Sequence, residues 1–473
     1  MENQKRTEYL AKNTVLFAIG NLGTKLISFF LVPLYTNALS TNQYGIIDLI
    51  ASICTVLVPV LTFNIGESVM RFSLDEDADY DKIFSVGILF MGMCITLGTI
   101  SIPVSNYFES TKEFGWYIYF YSVSLGICQL GNCNLRGREK LVEYAISNIL
   151  HSFSIAILNI FFLVILKKGI PGYFYAYILA NIITAIYAFG VGEAVKSLHK
   201  FKIDKCLLKD MVSYSIVLIP TSFMWWIMNS SDRLMVSAMV GIDANGIYAI
   251  SYKVPTLLST LSIIFNQAWS YSAIKEDSSE DITEYSNNMY NQMVQTVVII
   301  TGGLLMVMKP FLSIYVEKSY YAAWKYTPYL MIGFMFMTLG TFLSTSYTVN
   351  KDSWGFLISG TLGAIMNLIL NRFLIPIFGV SGAAFATCIS YFTVYIFRSW
   401  HIRKYIIINI FKVRHLVSFA IVILMGFTMY IDSIVGQVFL LIEFVLLLIL
   451  FKEYIGAMYN MCKNILLRNK HKR

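Results

Sequence analysis

Four cationic side chains lie within apolar stretches of the sequence or at their ends: Lys25, Arg71, Arg233 and Lys253. On insertion scales, a charge at the centre of a membrane helix costs about 2.5–3.5 kcal/mol, so such a residue is a candidate for function. Lysine and arginine hold phosphate oxygens through charge-assisted hydrogen bonds. The four residues therefore predict a cationic cavity that accepts an anionic group such as a phosphate and repels a cationic drug.

Amides and large aromatic rings accompany these cations. Flat rings can stack on a sugar, and amides can hydrogen-bond to its hydroxyl groups. The candidates for sugar contacts are Trp226, Asn229, Asn266, Gln267 and Trp269. Three carboxylates are candidates for coupling transport to an ion: Asp48, Glu67 and Asp232.

Each of these residues also has an ordinary structural explanation. Arg233 could pair with an acid or extend its head group to the membrane interface, and Arg71 could be a cytoplasmic positive charge. Tryptophan and tyrosine form belts at membrane interfaces. We favour a belt for two tyrosine clusters: Tyr117, Tyr119 and Tyr121, and Tyr173, Tyr175 and Tyr177. Lys25 is the hardest to explain in this way, because it lies in the middle of the first apolar stretch.

The sequence has no recognisable catalytic or metal-binding motif. It contains no glycine-rich phosphate loop, no HExxH and no GxSxG. The seven cysteines are scattered, and most lie in apolar stretches without metal-ligand spacing. We therefore expect neither a metal nor a cofactor, and no enzymatic activity. Transport would have to use a gradient, the membrane potential or the flux of substrate.

The composition shows which kind of chain must position these residues. Of the 473 residues, 57% are hydrophobic and only 14% are charged, whereas soluble domains carry about 25% charged residues. The mean hydropathy is +0.63. These values exclude a soluble or disordered protein. The net charge of +8 is then better explained by basic cytoplasmic loops than by a nucleic-acid partner.

Fourteen apolar stretches are long enough to cross a bilayer, which takes about 20 residues. They are 13–36, 45–66, 83–106, 114–134, 144–166, 172–195, 213–240, 246–272, 289–316, 325–347, 354–375, 380–400, 416–432 and 434–455. Basic loops alternate with loops that carry few charges, so the positive-inside rule predicts that both termini are cytoplasmic. The N-terminal segment is too polar and too long for a cleaved signal.

Two pairs of segments recur along the chain. STNQYGIIDLIASI (40–53) resembles GIDANGIYAISYKV (241–254), which pairs Gly45 with Gly246, and a second match pairs Gly169 with Gly379. The repeat contains six spans, an even number, so both copies enter the membrane from the same side. We predict an all-α polytopic protein of about fourteen helices with two six-helix lobes around a central cavity. The predicted lobes are 1–195 and 213–400, joined by a basic cytoplasmic linker, 196–212, and followed by two helices and a basic tail, 401–473.

A resemblance to bacterial Wzx-type polysaccharide flippases is carried by NTVLFAIGNLGTKLISFFLVPLYTNALSTNQYGIIDL, GESVMRFSLDED, SDRLMVSAMVGIDANGIYAISYKVPTLLS and FGVSGAAFAT. These flippases belong to the multidrug/oligosaccharidyl-lipid/polysaccharide exporter superfamily. The resemblance implies a protein of the bacterial inner membrane that moves an undecaprenyl-pyrophosphate-linked oligosaccharide to the outer leaflet for O-antigen, capsule or exopolysaccharide assembly. The implied partners are this substrate, the lipid bilayer, a polysaccharide polymerase and a chain-length regulator, but no nucleic acid.

Two other functions remain to be weighed against flipping. A cation-coupled multidrug or metabolite antiporter of the same superfamily would need acids deep in the lobes, and we expect Asp48 only about one turn from the outer end of its span. A membrane glycan polymerase or ligase would need a long external loop, and all the predicted external loops are short. Flipping by alternating access is therefore the leading hypothesis.

Overall fold

The computed structural model describes residues 23–75, 77–107, 111–199, 202, 204–275, 282–457 and 460. Every regular element in these ranges is a helix. The described chain divides into two compact units. The first contains the residues up to Ile250, together with Tyr315–Tyr320 and Asn371–Val380. The second contains Ser251–Ile314, Tyr321–Leu370 and the residues from Ser381 onwards.

Eleven helices of the described residues belong to the first unit, apart from Ser251 at the end of the eleventh, and helical residues 23–30 precede them. They are α1 (Val32–Ala38), α2 (Thr41–Leu61), α3 (Ile65–Ser73), α4 (Tyr80–Gly98), α5 (Ser101–Ser105), α6 (Gly115–Gly137), α7 (Leu141–Asn159), α8 (Gly169–Val191), α9 (Ala194–His199), α10 (Lys205–Met239) and α11 (Ile242–Ser251). A π-helical segment, Ile160–Ile165, continues α7.

The helices that follow belong mainly to the second unit. They are α12 (Pro255–Lys275), α13 (Ile282–Tyr315), α14 (Thr327–Val349), α15 (Ser353–Phe378), α16 (Val380–His401), α17 (Val413–Thr428) and α18 (Ile434–Leu450). Short 3-10 helices precede α14, at Lys318–Lys325, and follow α16, at Ile402–Lys404.

Nine helices in the described ranges are long and apolar enough to cross a bilayer, and α17 and α18 are shorter apolar helices. This confirms the predicted all-α polytopic fold class. The longest of the described helices, α10, has 35 residues. At 1.5 Å per residue it is about 50 Å long, well beyond the thickness of about 30 Å that the hydrocarbon core requires.

Side-chain caps show why α2 begins before the apolar stretch that predicted it. The Ser40 side chain accepts a hydrogen bond from the Gln43 backbone amide, and the Gln43 side chain accepts one from the Ser40 amide. This reciprocal capping box is a strong helix-start signal. It sets the first residue at Thr41, so Asp48 lies about two turns inside the helix rather than the one turn expected.

The second predicted span does not continue through residue 66. The helix α2 ends at Leu61, and Phe63 and Asn64 adopt left-handed conformations with φ of 52° and 55°. A new helix, α3, then starts at Ile65. The eighth predicted span is also interrupted, by the turn 252–254 between α11 and α12. The hydropathy analysis did not predict either break, because each lies inside a stretch, 45–66 or 246–272, that is apolar when averaged over its length.

The two glycines of the second match, Gly169 and Gly379, have similar backbone conformations. Gly169 and Gly379 both adopt left-handed backbone conformations, with φ of 61° and 59°. Each lies directly before or at the start of a helix, α8 or α16. Because this conformation strains residues with a β-carbon, glycine is favoured at both turns.

The two tyrosine clusters do not form a simple interface belt. Tyr121 and Tyr173 are buried within the first unit, and Tyr173 stacks on Tyr177 with ring centroids 4.4 Å apart. Tyr35 of α1 is buried beside them, with its hydroxyl 3.5 Å from that of Tyr177. Tyr175 is exposed, as a belt residue would be. The belt interpretation was wrong for the buried members, because they pack between helices of the unit.

Candidate functional site

The centre of the candidate site is a close crossing of α2 and α11 at the first pair of matched glycines. A β-carbon on Gly45 would lie 2.1 Å from the backbone oxygen of Ile242, and one on Gly246 would lie 2.0 Å from that of Thr41. The two contacts correspond to each other in the matched segments. Gly45 contacts Ile242 and Gly246 contacts Thr41. Thr41 and Ile242 are 201 positions apart, as are Gly45 and Gly246. Small residues are what allow helix backbones to approach so closely.

Polar side chains tie the two helices together around this crossing. The Asp243 carboxylate accepts hydrogen bonds from the Thr41 hydroxyl at 2.7 Å and from the Asn42 amide at 3.0 Å. These bonds lower the pKa of Asp243, the Thr41 contact contributing most. The amide of Asn245 donates to the backbone oxygen of Gly45 at 3.1 Å. The crossing is therefore held by directional bonds as well as by close packing.

One turn further along α2, Asp48 forms an ion pair with Arg233 of α10. A guanidinium nitrogen of Arg233 lies 2.8 Å from a carboxylate oxygen of Asp48, and the other oxygen accepts from Asn245 at 3.4 Å. The Arg233 side chain is 20% exposed and the Asp48 side chain is 9% exposed. The pairing that we considered as an ordinary explanation for Arg233 is thus present, with a partner 185 residues away.

Asp232 extends the same group of polar side chains, although it points to a different partner. The Tyr248 hydroxyl of α11 donates to a carboxylate oxygen of Asp232 at 2.7 Å, and both residues are buried. We call Asp48, Asp232, Arg233, Asn245 and Tyr248 the α2–α10–α11 cluster. It contains two carboxylates and one guanidinium, so the charge of Arg233 is compensated within the cluster in this conformation.

Two predicted sugar contacts lie on α10, one and two turns before the cluster. The Trp226 indole donates to the Ser52 backbone oxygen at 2.7 Å, which ties α10 to α2. The Asn229 side chain donates to the Trp225 backbone oxygen at 2.7 Å, within its own helix. The Trp226 indole N–H is used to position its ring.

The remaining predicted sugar contacts belong to α12. Trp269 is buried and stacks on Phe342 of α14, with ring centroids 4.8 Å apart. The Asn266 amide donates to the Ser262 hydroxyl at 3.2 Å. The side chain of Gln267 lies outside the described residues.

The predicted cations lie on separate elements of the described structure. Lys25 is exposed on the helical segment 23–30, and Lys253 is partly buried in the turn between α11 and α12. Arg71, at the end of α3, is exposed and forms an ion pair with Asp75 at 2.6 Å. Glu67, at the start of α3, lies 3.7 Å from Arg136 of α6. A cavity shared by the four cations therefore stays a prediction.

Sequence reasoning missed Asp243, Asn245 and Tyr248. Asp243 and Asn245 stand inside the repeated segment GIDANGIYAISYKV, where the match to the first copy was the available signal. Their partners are about 200 positions away along the chain. Periodicity within one helix carries no information about such contacts.

Comparison with known sequences identifies a family. A profile described as "Polysaccharide biosynthesis protein" matches residues 10–271, more than half of the chain. An uncharacterised membrane protein of Methanocaldococcus jannaschii is 22% identical over 428 residues, covering 84% of this chain and all of that protein. A Haloferax volcanii protein named as a probable low-salt glycan biosynthesis flippase, Agl15, is 22% identical over 403 residues, covering 81% of each chain.

Comparison with solved structures identifies the fold. The lipid II flippase MurJ in an inward closed conformation superposes with a TM-score of 0.67 at 13% identity, covering 96% of this chain and 99% of that one. An inward-facing multidrug resistance MATE transporter superposes with a TM-score of 0.64 at 12% identity, covering 82% and 93%. The predicted resemblance and fold class are confirmed. The chain is a multi-pass membrane protein with the fold that MurJ and the MATE transporter share.

Proposed function

The chain belongs to the polysaccharide biosynthesis protein family, and we propose that it moves a lipid-linked oligosaccharide between the leaflets of the membrane. The observation that carries the proposal is the MurJ-like fold along 96% of the chain. The glycan flippase named among its relatives supports it. The named relatives are archaeal, so the undecaprenyl carrier, the bacterial inner membrane and the outward direction are the finer part of the proposal.

The proposed mechanism gives Arg233 two alternative partners. In the described conformation it pairs with Asp48 at 2.8 Å. A pyrophosphate offers more acceptor oxygens and more negative charge than one carboxylate, so it can displace Asp48 from the guanidinium. Lys25, Lys253 and Arg71 are the proposed additional cations. The indole and amide side chains of α10 and α12 are the proposed sugar contacts.

The topology and the partners follow from the same proposal. The two six-span lobes, 1–195 and 213–400, would rock about the substrate while the lipid tail stays in the bilayer. Both termini would be cytoplasmic, as the distribution of basic loops predicts. A polysaccharide polymerase and a chain-length regulator would act on the product.

Gene deletion in the source organism tests the proposal. We expect loss of surface glycan and accumulation of lipid-linked glycan that an impermeant label reaches only after the cells are lysed. The wild-type gene should restore surface glycan, and Arg233→Met should not, at equal protein abundance. Unchanged surface glycan and unchanged labelling in the deletion strain would refute the proposal.

A cation-coupled antiporter is the second candidate, because two carboxylates of the α2–α10–α11 cluster, Asp48 and Asp232, are buried. Buried acids in a transporter are candidates for proton or cation relay. This function predicts that the deletion strain becomes sensitive to ethidium while its surface glycan stays normal. An ethidium efflux assay in the same strains therefore separates the two functions.

A further inference from the structure

The first unit contains a second polar region, away from the α2–α10–α11 cluster. It is a cavity of about 300 Å³ between the break after α2, the start of α3, and helices α6 and α7. None of the five cluster residues lines it. We call it the α3–α6 cavity.

The backbone next to this cavity is strained. Phe63 and Asn64 both have positive φ, which is rare for residues with a β-carbon and a marked outlier for a bulky phenylalanine. The backbone N–H of Asn64 donates to the Pro59 backbone oxygen at 2.9 Å, which closes the turn. Broken helices at membrane depth are tolerated where they line a cavity, and strained backbone concentrates at ligand sites. The break brings Asn64 and the first turn of α3 to the cavity wall.

The opposite wall is a polar stripe on α6. Gln129, Asn132 and Arg136 all line the cavity, and their spacing of three and four residues puts them on one helix face. The Ser147 hydroxyl donates to the Asn132 side-chain oxygen at 2.6 Å, which fixes the direction of that amide. Gln129 is exposed and lines the cavity. Amides that present donors and acceptors in turn suit a ligand with several hydroxyl groups.

The ion pair in the cavity lining is a loose one. The Glu67 carboxylate and the Arg136 guanidinium are 3.7 Å apart, whereas a charge-assisted hydrogen bond is about 2.7–2.9 Å long. Both groups therefore keep hydrogen-bonding capacity for a ligand. Their charges cancel, so the lining favours neither a free phosphate nor a cation.

The rest of the lining is apolar and includes Pro59, Met91, Leu130 and the Tyr144 ring. An apolar floor with a few placed polar groups is typical of small-molecule sites, and 300 Å³ is at the small end of their range of about 300–1,000 Å³. A pyranose has this character, with C–H groups on its faces and hydroxyls around its edge. We propose that the α3–α6 cavity binds one neutral sugar ring of the transported glycan. The physiological part of this inference rests on the proposed function.

Binding to the purified full-length protein in lipid nanodiscs tests the site. The probes are the methyl glycosides of glucose, galactose, mannose and N-acetylglucosamine, added singly while thermal unfolding is followed. We expect a saturable stabilisation by at least one of them. Gln129→Leu removes a hydrogen-bonding group, and Glu67→Gln replaces one charged acceptor oxygen by an amide donor. Each should weaken that binding about fivefold to tenfold. Gln437→Leu, at an exposed position of α18, is the matched control and should bind like the wild type.

Two results would overturn the inference. One is that none of the four glycosides stabilises the wild-type protein. The other is that Gln129→Leu and Glu67→Gln, folded as judged by gel filtration, bind the glycoside as tightly as the Gln437→Leu control.

Complementation of the deletion strain keeps this inference separate from the proposed function. If the wild-type gene restores surface glycan and the protein binds no glycoside, the sugar site is wrong and the flippase proposal stands. If the protein binds a glycoside through Gln129 and deletion leaves surface glycan unchanged, the site stands and the flippase proposal is wrong.

Discussion

The crossing of α2 and α11 allows a prediction that can be worked from distances. In Gly45→Ala the new β-carbon would lie 2.1 Å from the Ile242 backbone oxygen, whereas a carbon–oxygen contact needs about 3.3 Å. The obstacle is backbone and cannot rotate away, so the helices must separate by more than about 1 Å. The 3.1 Å bond from Asn245 to the Gly45 oxygen would then lengthen beyond a good hydrogen bond.

The free-energy change combines three effects. Overpacking of this kind costs about 3 kcal/mol at the upper end of its usual range, and a weakened hydrogen bond adds about 0.5–1 kcal/mol. Alanine is the better helix former by about 1 kcal/mol. We therefore expect Gly45→Ala to lower the free energy of unfolding by about 2–3 kcal/mol. Gly246→Ala, with its contact at 2.0 Å, should behave in the same way.

Unfolding of the purified protein, by heat or by denaturant, measures the effect against a matched substitution. Gly92 lies in α4, and no described atom lies within 4 Å of the position that its β-carbon would take, so Gly92→Ala should be neutral or stabilising by up to about 1 kcal/mol. The double variant of Gly45 and Gly246 should lose less than the sum of the two single losses, because the first β-carbon already separates the helices. A Gly45→Ala protein as stable as Gly92→Ala would refute the reasoning.

Two further predictions concern ion pairs. Asp48→Asn or Arg233→Met leaves one charged partner largely buried and should lower the free energy of unfolding by about 2–4 kcal/mol. A double-mutant cycle in unfolding experiments should give a coupling energy between the two residues above about 1 kcal/mol. Additive losses would contradict the pairing. Hydrogen bonds from the Gly355 amide and the Tyr405 hydroxyl, together with Lys404, lower the pKa of Asp352 to about 2. Its contribution to stability is present above the unfolded pKa of about 3.9 and is lost as the pH falls towards 2. Asp352→Asn should flatten stability in that pH range, and an unchanged pH profile would contradict this.

The spans and the class of protein could be predicted from the sequence because hydropathy is a local property. Transfer free energies add residue by residue along a stretch, whichever partners the helix later finds. The start of α2 is also set locally, since Ser40 and Gln43 satisfy each other's backbone amides, but the prediction from hydropathy alone began four residues later, at residue 45. The breaks after α2 and α11 were not predicted, because hydropathy is averaged over a whole stretch and the left-handed conformation of Phe63 depends on the surrounding packing.

The candidate site divides in the same way. The sequence identified Asp48, Asp232 and Arg233 as candidates because they are charged residues in apolar stretches. It could not show that Arg233 pairs with Asp48 while Asp232 accepts from Tyr248. It also could not show that Glu67 and Arg136 face one cavity.

By itself, the sequence determined that the chain is a helical membrane protein, because composition and hydropathy act within each segment. Only the tertiary structure decided which charges are compensated and which polar groups remain open to a ligand. Such decisions depend on contacts between helices about 70 to 200 residues apart, like those of Gly45 with Ile242 and of Glu67 with Arg136. The free-energy cost of burying a charge or adding a β-carbon depends on the residues that surround it in space. The order of residues along the chain does not show which residues these are.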